Sequence, residues 1–482
     1  MRFRALTMGL ICSLSAIIGA DAQECLVANP SFEVGLGLDG WNTFGDVGLT
    51  DTLRVHGQRS LSVGGPGTGS WGVSGAWQRF DASQGTIVDV VVRVGHNDAL
   101  AITHEARGIV NVEWRDASDE LISYQSVDVL EASDVPGAMR THRLTSGPAP
   151  AGTASGRVLL GVLQSPFQEP GRVVFDLVDS VVRTTPTYDE LQWGDFPSGR
   201  MVSFAGHDWR VKGPGVYGPG PNFFSDSTDV VDVENDELIV SQINLNGTWS
   251  SAEVVLTEPL GYGDYVFTTR GRLDNFAPNI ILGLFLWQYP LCYDVRNTWN
   301  QHNEIDVEIS RWADPTNDVA QFVIQPYDTD GNIDRFDIAY SDDELVSYAF
   351  EWLPDRIEFR SWRGGPADES PSTLIHDWTY TGQHLPRPEQ PRVHVNLWYV
   401  GSDGPSDGVP RMVVVSDFEF RPMTDFDRSG LIDFIDLLAF LRAFDEGDLT
   451  ADIDGDTALS PNDVALFVES IVGAYRSVTS AP

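Results

Sequence analysis

Lysine is almost missing from this chain. Lys212 is the only one in 482 residues, and 31 basic residues face 70 acidic ones, for a formal net charge of −39. Phosphate binding needs a basic surface, so nucleic acid is excluded as a partner. The surface must be strongly acidic, a character that suits a saline medium in which like charges are screened. Cysteine is scarce too, limited to Cys12, Cys25 and Cys292. Long apolar runs are missing except at the N-terminus. There, basic Met1–Arg4, an apolar stretch over 5–19 and the small-residue Ala20-Asp21-Ala22 read as an export signal over 1–22. A retained membrane anchor is the alternative, but the stretch falls short of the ~20 residues that span a bilayer. The mature protein is therefore expected to be secreted, with no membrane span after signal removal. Cys12 leaves with the signal. Cys25 and Cys292, far apart and assigned to different domains, give no disulfide framework and no cysteine-based metal site.

Helical periodicity is nearly absent before the last sixty residues. Short alternating runs such as 86–94 and 171–182, separated by Gly, Pro, Asn and Asp, predict antiparallel sheets packed as sandwiches. Only Phe434–Phe444 and Asp463–Tyr475 place apolar residues at steps of three and four. The length suggests roughly three domains. We divide the mature chain at 23–185, 190–422 and 423–482, with Thr184-Thr185-Pro186-Thr187 and Arg421-Pro422-Met423-Thr424 as linkers. The fold class is mainly β: two antiparallel β-sandwich or jelly-roll domains followed by a small α-helical calcium-loop domain.

The tail contains a repeat. Asp425, Asp427, Ser429, Gly430, Asp433 and Asp436 fall at positions 1, 3, 5, 6, 9 and 12 of a loop that runs into a helix. Asp452, Asp454, Asp456, Ser460 and Asp463 repeat that pattern. Calcium takes 6–8 oxygen ligands, which oxygen side chains at alternate positions of a tight loop supply. The competing reading is a pair of acidic helix N-caps. Thr457 stands where the second turn wants glycine.

The middle domain carries His302-Asn303-Glu304-Ile305-Asp306-Val307-Glu308-Ile309. On a strand, Glu304, Asp306 and Glu308 share one face while Ile305, Val307 and Ile309 take the other. Crowded carboxylates raise at least one pKa, so that one group stays protonated near neutrality while another is ionised, as acid/base chemistry requires. Retaining glycoside hydrolysis needs two carboxyls about 5–5.5 Å apart. Residues four apart on an ideal strand are about 13 Å apart at Cα, so curvature and converging side chains would have to close that gap. A solvated acidic face and a calcium site are the other readings of the same residues.

This stretch resembles the E-x-D-x-E strand of glycoside hydrolase family 16, and the resemblance extends over 200–421. Leu260-Gly261-Tyr262-Gly263-Asp264-Tyr265 is similar to the family's YG-x-[YF] strand, and 281–287 to the strand that follows it. Trp299 matches the Trp of its W-P-x-x-G-E-I-D run. Tyr348–Trp352 and Val395-Asn396-Leu397-Trp398 are similar to its later strands. The resemblance implies a concanavalin A-like jelly roll with a sugar cleft, Glu304 as nucleophile, Glu308 as general acid/base and Asp306 as the residue that tunes Glu304. Two departures stand out. His302-Asn303 replaces the usual small residue and Gly, and the motif lacks the extra bulge residue of many laminarinase-like members, which loosens the assignment to β-1,3-glucan because lichenase-like and xyloglucan-active members share the unbulged form; the sugar, β-glucan or galactan, stays open. Aromatic faces stack on pyranose rings. Trp299, Trp398, Trp287 and Trp312, with Asn396, are the candidate sugar contacts, and a core role is the alternative for each Trp.

The tail resembles a dockerin, which implies two structural calcium ions and a cohesin-like protein partner. Residues 23–185, opening with Asn29-Pro30-Ser31-Phe32-Glu33 and closing with Val173–Val178, resemble carbohydrate-binding jelly rolls of the family 4/9 type. That resemblance implies a calcium near Glu33 and Asp176 and a platform from Trp71, Trp77 and Trp114; a purely structural sandwich is the alternative. Gly35–Gly40 fits a dinucleotide-loop pattern, but no βαβ unit surrounds it. No organic cofactor is implied. The expectation is a secreted retaining endo-hydrolase of a β-linked polysaccharide; a non-catalytic carbohydrate-binding protein, a transglycosylase and a scaffold are the rivals.

Overall fold

The computed structural model describes residues 25–166, 171–183, 196, 199–292, 300, 302–387, 389–401, 403–427 and 432–479. Residues 1–22, read above as an export signal, Thr184–Thr187, read as a linker, Trp299 and Ser429 lie outside the described residues. The fold is mainly β. Two five-stranded sheets form the first sandwich. One runs in the order Asn42–Phe44, Gly72–Asp81, Ser155–Gln164, Arg107–Arg115, Leu121–Glu131. The other runs Asp46–Thr50, Ser60–Gly64, Arg172–Val182, Val88–Gly95, Arg140–Thr145. Alternation sets their faces: Val88, Val90, Val92 and Val94 all turn inward and are buried. They pack with Phe32, Trp41, Trp114 and Phe175 in one core.

The second sandwich has two layers. One orders Met201–Phe204, His207–Val211, Thr248–Leu256, Arg392–Tyr399, Ile280–Trp287, Ile305–Ile309, Ala320–Ile324 and Ile333–Phe336. The facing layer orders Val231–Glu234, Glu237–Leu245, Arg411–Pro422, Gly263–Arg270, Leu345–Trp352, Ile357–Arg363 and Leu374–Tyr380. A single apolar core, including Leu284, Val307, Phe322, Tyr265 and Phe350, fills the space between them. Two helices follow, α1 (Phe434–Glu446) and α2 (Pro461–Thr479). They meet through Phe440 and Phe467, whose rings stack at 4.3 Å. Asp433 and Asp436 form a capping box at the start of α1, and Gly447, with φ 76°, ends it in the left-handed conformation. Among the described residues no helix is long and apolar enough to cross a membrane.

The reading of the cysteines is corrected. Cys25 and Cys292 form a disulfide across a sequence separation of 267. The N-terminal segment runs beside the Arg172–Val182 strand, with Leu26 N–H donating to Ser180 O at 2.8 Å. This delivers Cys25 to a small cluster with Val181, Leu291 and Cys292. Spacing cannot show that two segments so distant in sequence meet. In the first sandwich Trp114 is a core residue, edge-on to Phe80 at 6.0 Å, and not part of an exposed platform. Trp71 is half exposed, and Trp77 carries the Arg157 guanidinium 3.7 Å above its ring.

Candidate active site

The Ile305–Ile309 strand is an interior strand, the sixth in the order of its layer, between Ile280–Trp287 and Ala320–Ile324. Ile305, Val307 and Ile309 are fully buried in the core, which turns Glu304, Asp306 and Glu308 onto the opposite, outer face. Register then fixes their neighbours. Glu308 stands opposite Gly283 and Gln321, and Gly283 stands opposite Asn396, which pairs in turn with Glu253. Asp306 stands opposite Phe285 and Val323, with His394 beyond Phe285. Gly283 is required here, because a Cβ would meet Asn396 Oδ1 at 2.6 Å. The missing Cβ makes room for the Asn396 side chain, whose Oδ1 accepts the Gly283 N–H.

Each carboxyl is held differently. Glu308 Oε2 accepts from Trp312 Nε1 at 3.1 Å and from Gln321 Nε2. Burial pushes Glu308 up to about 7 despite these donors. Asp306 Oδ2 accepts from Gln325 Nε2 at 3.1 Å. Asp306 and Glu304 share a hydrogen bond, and both are pushed well above the carboxylate range, by burial first and then by neighbouring charge. Glu304 also feels the Glu308 charge, so the three groups act as one electrostatic cluster that holds fewer than three charges near neutrality.

The segment before the strand is braced. Asn300 Oδ1 accepts Glu304 N–H and its Nδ2 donates to Glu304 O, both at 2.8 Å. Asn303 takes φ 51°, a left-handed conformation that Gly or Asn adopts readily. Its side chain donates to Gln288 Oε1 at 2.6 Å and accepts Arg387 N–H at 2.9 Å. His302 stacks on Trp287 at 3.8 Å, and burial lowers its pKa to about 4, so it packs there as a neutral ring.

The aromatic candidates separate. Trp312 touches Glu308 directly. Trp398 is 5% exposed and packs with Phe224, Ile281 and Trp312, edge-on to Trp312 at 5.7 Å, so it forms a wall and not an open platform. Asn396 Oδ1 accepts Gly283 N–H at 3.2 Å, which ties the oxygen side of its amide to the sheet. Trp287 packs under His302, at the end of the strand that pairs with Ile305–Ile309. Sequence reasoning missed Gln321 and Gln325, polar residues that bracket an otherwise apolar run. It also missed a buried trio at the end of the same face, where the lone lysine, Lys212, lies 2.9 Å from Glu253 Oε2 and His394 Nδ1 lies 3.0 Å from Oε1. Burial would raise Glu253, but the Lys212 charge and His394 hold its carboxyl below the usual range.

In the tail, Asp425, Asp427 and Asp436 each offer an oxygen within 4.8 Å of the others, and Asp452, Asp454 and Asp463 do the same. Two all-oxygen donor sets at matched loop positions fit a hard divalent cation such as calcium. Burial and the Asp454 and Asp463 charges push Asp452 up to about 8, a repulsion that a bound cation would relieve. Asp433 and Ser460 cap the helices instead, accepting Ile435 N–H at 2.7 Å and Asn462 N–H at 3.1 Å. Asp456 accepts from Met139 N–H and Ala458 N–H. In the first sandwich, Glu33 Oε1 accepts the amides of Gln58 and Arg59, and Asp176 Oδ2 those of Val55 and His56. Both acids thus brace one loop.

No family model matches the chain, and no curated protein matches it. Solved structures do. A prokaryotic β-1,3-1,4-glucanase (lichenase) from a mouse hindgut metagenome is similar at 17% identity over 47% of this chain and 96% of its own, with a TM-score of 0.33. A laminarinase from Flavobacterium sp. UMI-01 is similar at 14% identity over 44% of this chain and 92% of its own, with a TM-score of 0.33. TmCBM61, solved with β-1,4-galactotriose, is similar at 12% identity over 33% of this chain and 100% of its own, with a TM-score of 0.24.

Proposed function

We propose that this chain is an exported retaining glycoside hydrolase that cleaves a β-linked polysaccharide, β-glucan or galactan, within the polymer. The observation that carries the reading is the three-carboxyl face of the Ile305–Ile309 strand, with Glu308 poised near neutrality by burial. In the first step Glu304 attacks the anomeric carbon as Glu308 gives its proton to the departing glycosidic oxygen, leaving a covalent glycosyl-enzyme. The hydrogen bond that Glu304 shares with Asp306 raises Glu304 and lowers Asp306, so the shared proton rests on Glu304 and has to pass to Asp306 before Glu304 attacks as the carboxylate. In the second step Glu308 accepts a proton from water, the resulting hydroxide attacks the anomeric carbon, and Glu304 is released. Gln321 and Trp312 hold the Glu308 carboxyl in place through both steps.

The test is reducing-sugar release from laminarin, mixed-linkage β-glucan, xyloglucan, agarose and carrageenan by the wild type, Glu304→Gln and Glu308→Gln. Activity on one polymer that collapses in both variants is expected. Glycan binding by all three proteins with no activity on any polymer would make the face a binding site only.

A further inference from the structure

The second acidic loop of the tail is wedged between the two sandwiches. On one side it meets the first sandwich: Asp456 Oδ2 accepts the Met139 N–H at 2.8 Å, and Thr457 Oγ1 donates to Arg54 O at 3.4 Å. Ala458 packs on the cluster of Leu53, Val55, Met139, Val174 and Leu177. On the other side Gly455 lies against Tyr262 of the second sandwich so closely that a Cβ would stand 2.4 Å from the Tyr262 hydroxyl. Tyr262 in turn packs on Trp352 at 4.5 Å. Four consecutive residues, 455–458, thus touch two other units. Thr457 takes φ 67°, a conformation that a β-branched residue adopts only under strain. Its hydroxyl bond to Arg54 explains a side chain where the turn would otherwise favour glycine.

The same loop holds the Asp452, Asp454 and Asp463 set. Asp454 also lines a cavity of about 660 Å³ at the meeting of all three units, together with Arg93, Asp179, Tyr262, Gln288 and Trp352. The donor set and the wedge share one backbone turn: Asp463 Oδ1 accepts Ile453 N–H at 2.7 Å, and Asp452 Oδ2 accepts Thr457 N–H at 2.8 Å.

We propose that the second loop, holding calcium, is an internal staple that fastens the first sandwich to the second, so that this half of the tail docks on its own chain and not on a separate protein. The inference rests on the calcium reading of the tail. Without a cation the crowded carboxylates repel, the turn relaxes, and residues 455–458 lose the geometry that reaches Met139, Arg54 and Tyr262. A ligand that binds only the closed turn stabilises it by mass action.

The test is hydrogen exchange followed by mass spectrometry on the full chain, with calcium or with a chelator, reading the Met139 amide and the loop amides of Ile453 and Ser460. Chelation is expected to speed exchange at both places by tenfold or more. Asp463→Asn should do so with calcium present, and Asp436→Asn, in the first loop, should leave Met139 protected. Loop amides that lose protection while Met139 keeps it would overturn the staple and leave the calcium reading standing. No response at either place would overturn both.

Discussion

Replacing Glu308 with glutamine should cost the protein its activity and make it more stable at alkaline pH. The carboxyl is moved from its ordinary 4.5 to about 7 by burial. At 1.36 kcal/mol per pH unit this corresponds to about 3 kcal/mol by which the fold disfavours the ionised form. The folded-state value lies above the unfolded one, so the wild type keeps its full stability below pH 4.5 and loses this contribution as the pH rises through about 7. The side-chain amide of the Glu308→Gln variant would still accept from Trp312 Nε1 and Gln321 Nε2 through its carbonyl oxygen but would never ionise. The variant should therefore match the wild type at acid pH and exceed it at about pH 9. Because Glu304 and Asp306 share the crowding, we expect a gain of about 1–3 kcal/mol, or roughly 2–10 °C in the melting temperature of a sandwich this size. Loss of the general acid should lower kcat by about 10²–10⁴-fold. Calorimetric melts of both proteins between about pH 4 and pH 9 would decide it. A difference that stays flat across that range, or that favours the wild type at alkaline pH, would refute the argument that burial suspends Glu308 near neutrality.

Trp312→Phe keeps most of the packing on Trp398 but removes the indole donor to Glu308, so the alkaline limb of the kcat/KM profile should move up by about one pH unit; an unmoved limb would remove Glu308 as the acid. Asn303→Ala breaks the ties to Gln288 and Arg387 and strains the left-handed residue next to Glu304, and should lower stability by about 1–3 kcal/mol and kcat more than KM. Asn303→Gly, which relieves the backbone without restoring the bonds, should recover part of the stability but not kcat. Cys292→Ser should leave the β-sheet circular dichroism intact while making the boundary between the sandwiches more sensitive to protease; equal cleavage rates with and without the bond would show that packing alone holds the two together.

The sequence by itself determined whatever is periodic. Alternation in Ile305–Ile309 set which residues face the core and put three carboxyls on one side, because side chains on a strand repeat every two residues wherever the strand ends up. Three- and four-residue steps marked both helices, and oxygen side chains at loop positions 1, 3 and 12 marked the residues that gather in the tail. What the tertiary structure decided is what depends on partners remote in the chain. Register placed Gly283 and Gln321 beside Glu308, since cross-strand pairing is not written in either strand alone. Packing against Phe224 turned Trp398 from a candidate platform into a wall. Cys25 and Cys292, and Asp456 and Met139, meet only because separate units are docked together, and neither residue of a pair carries a local signal for the other. Burial, the origin of the raised Glu308 pKa, likewise depends on all the surrounding strands at once and so belongs to the fold.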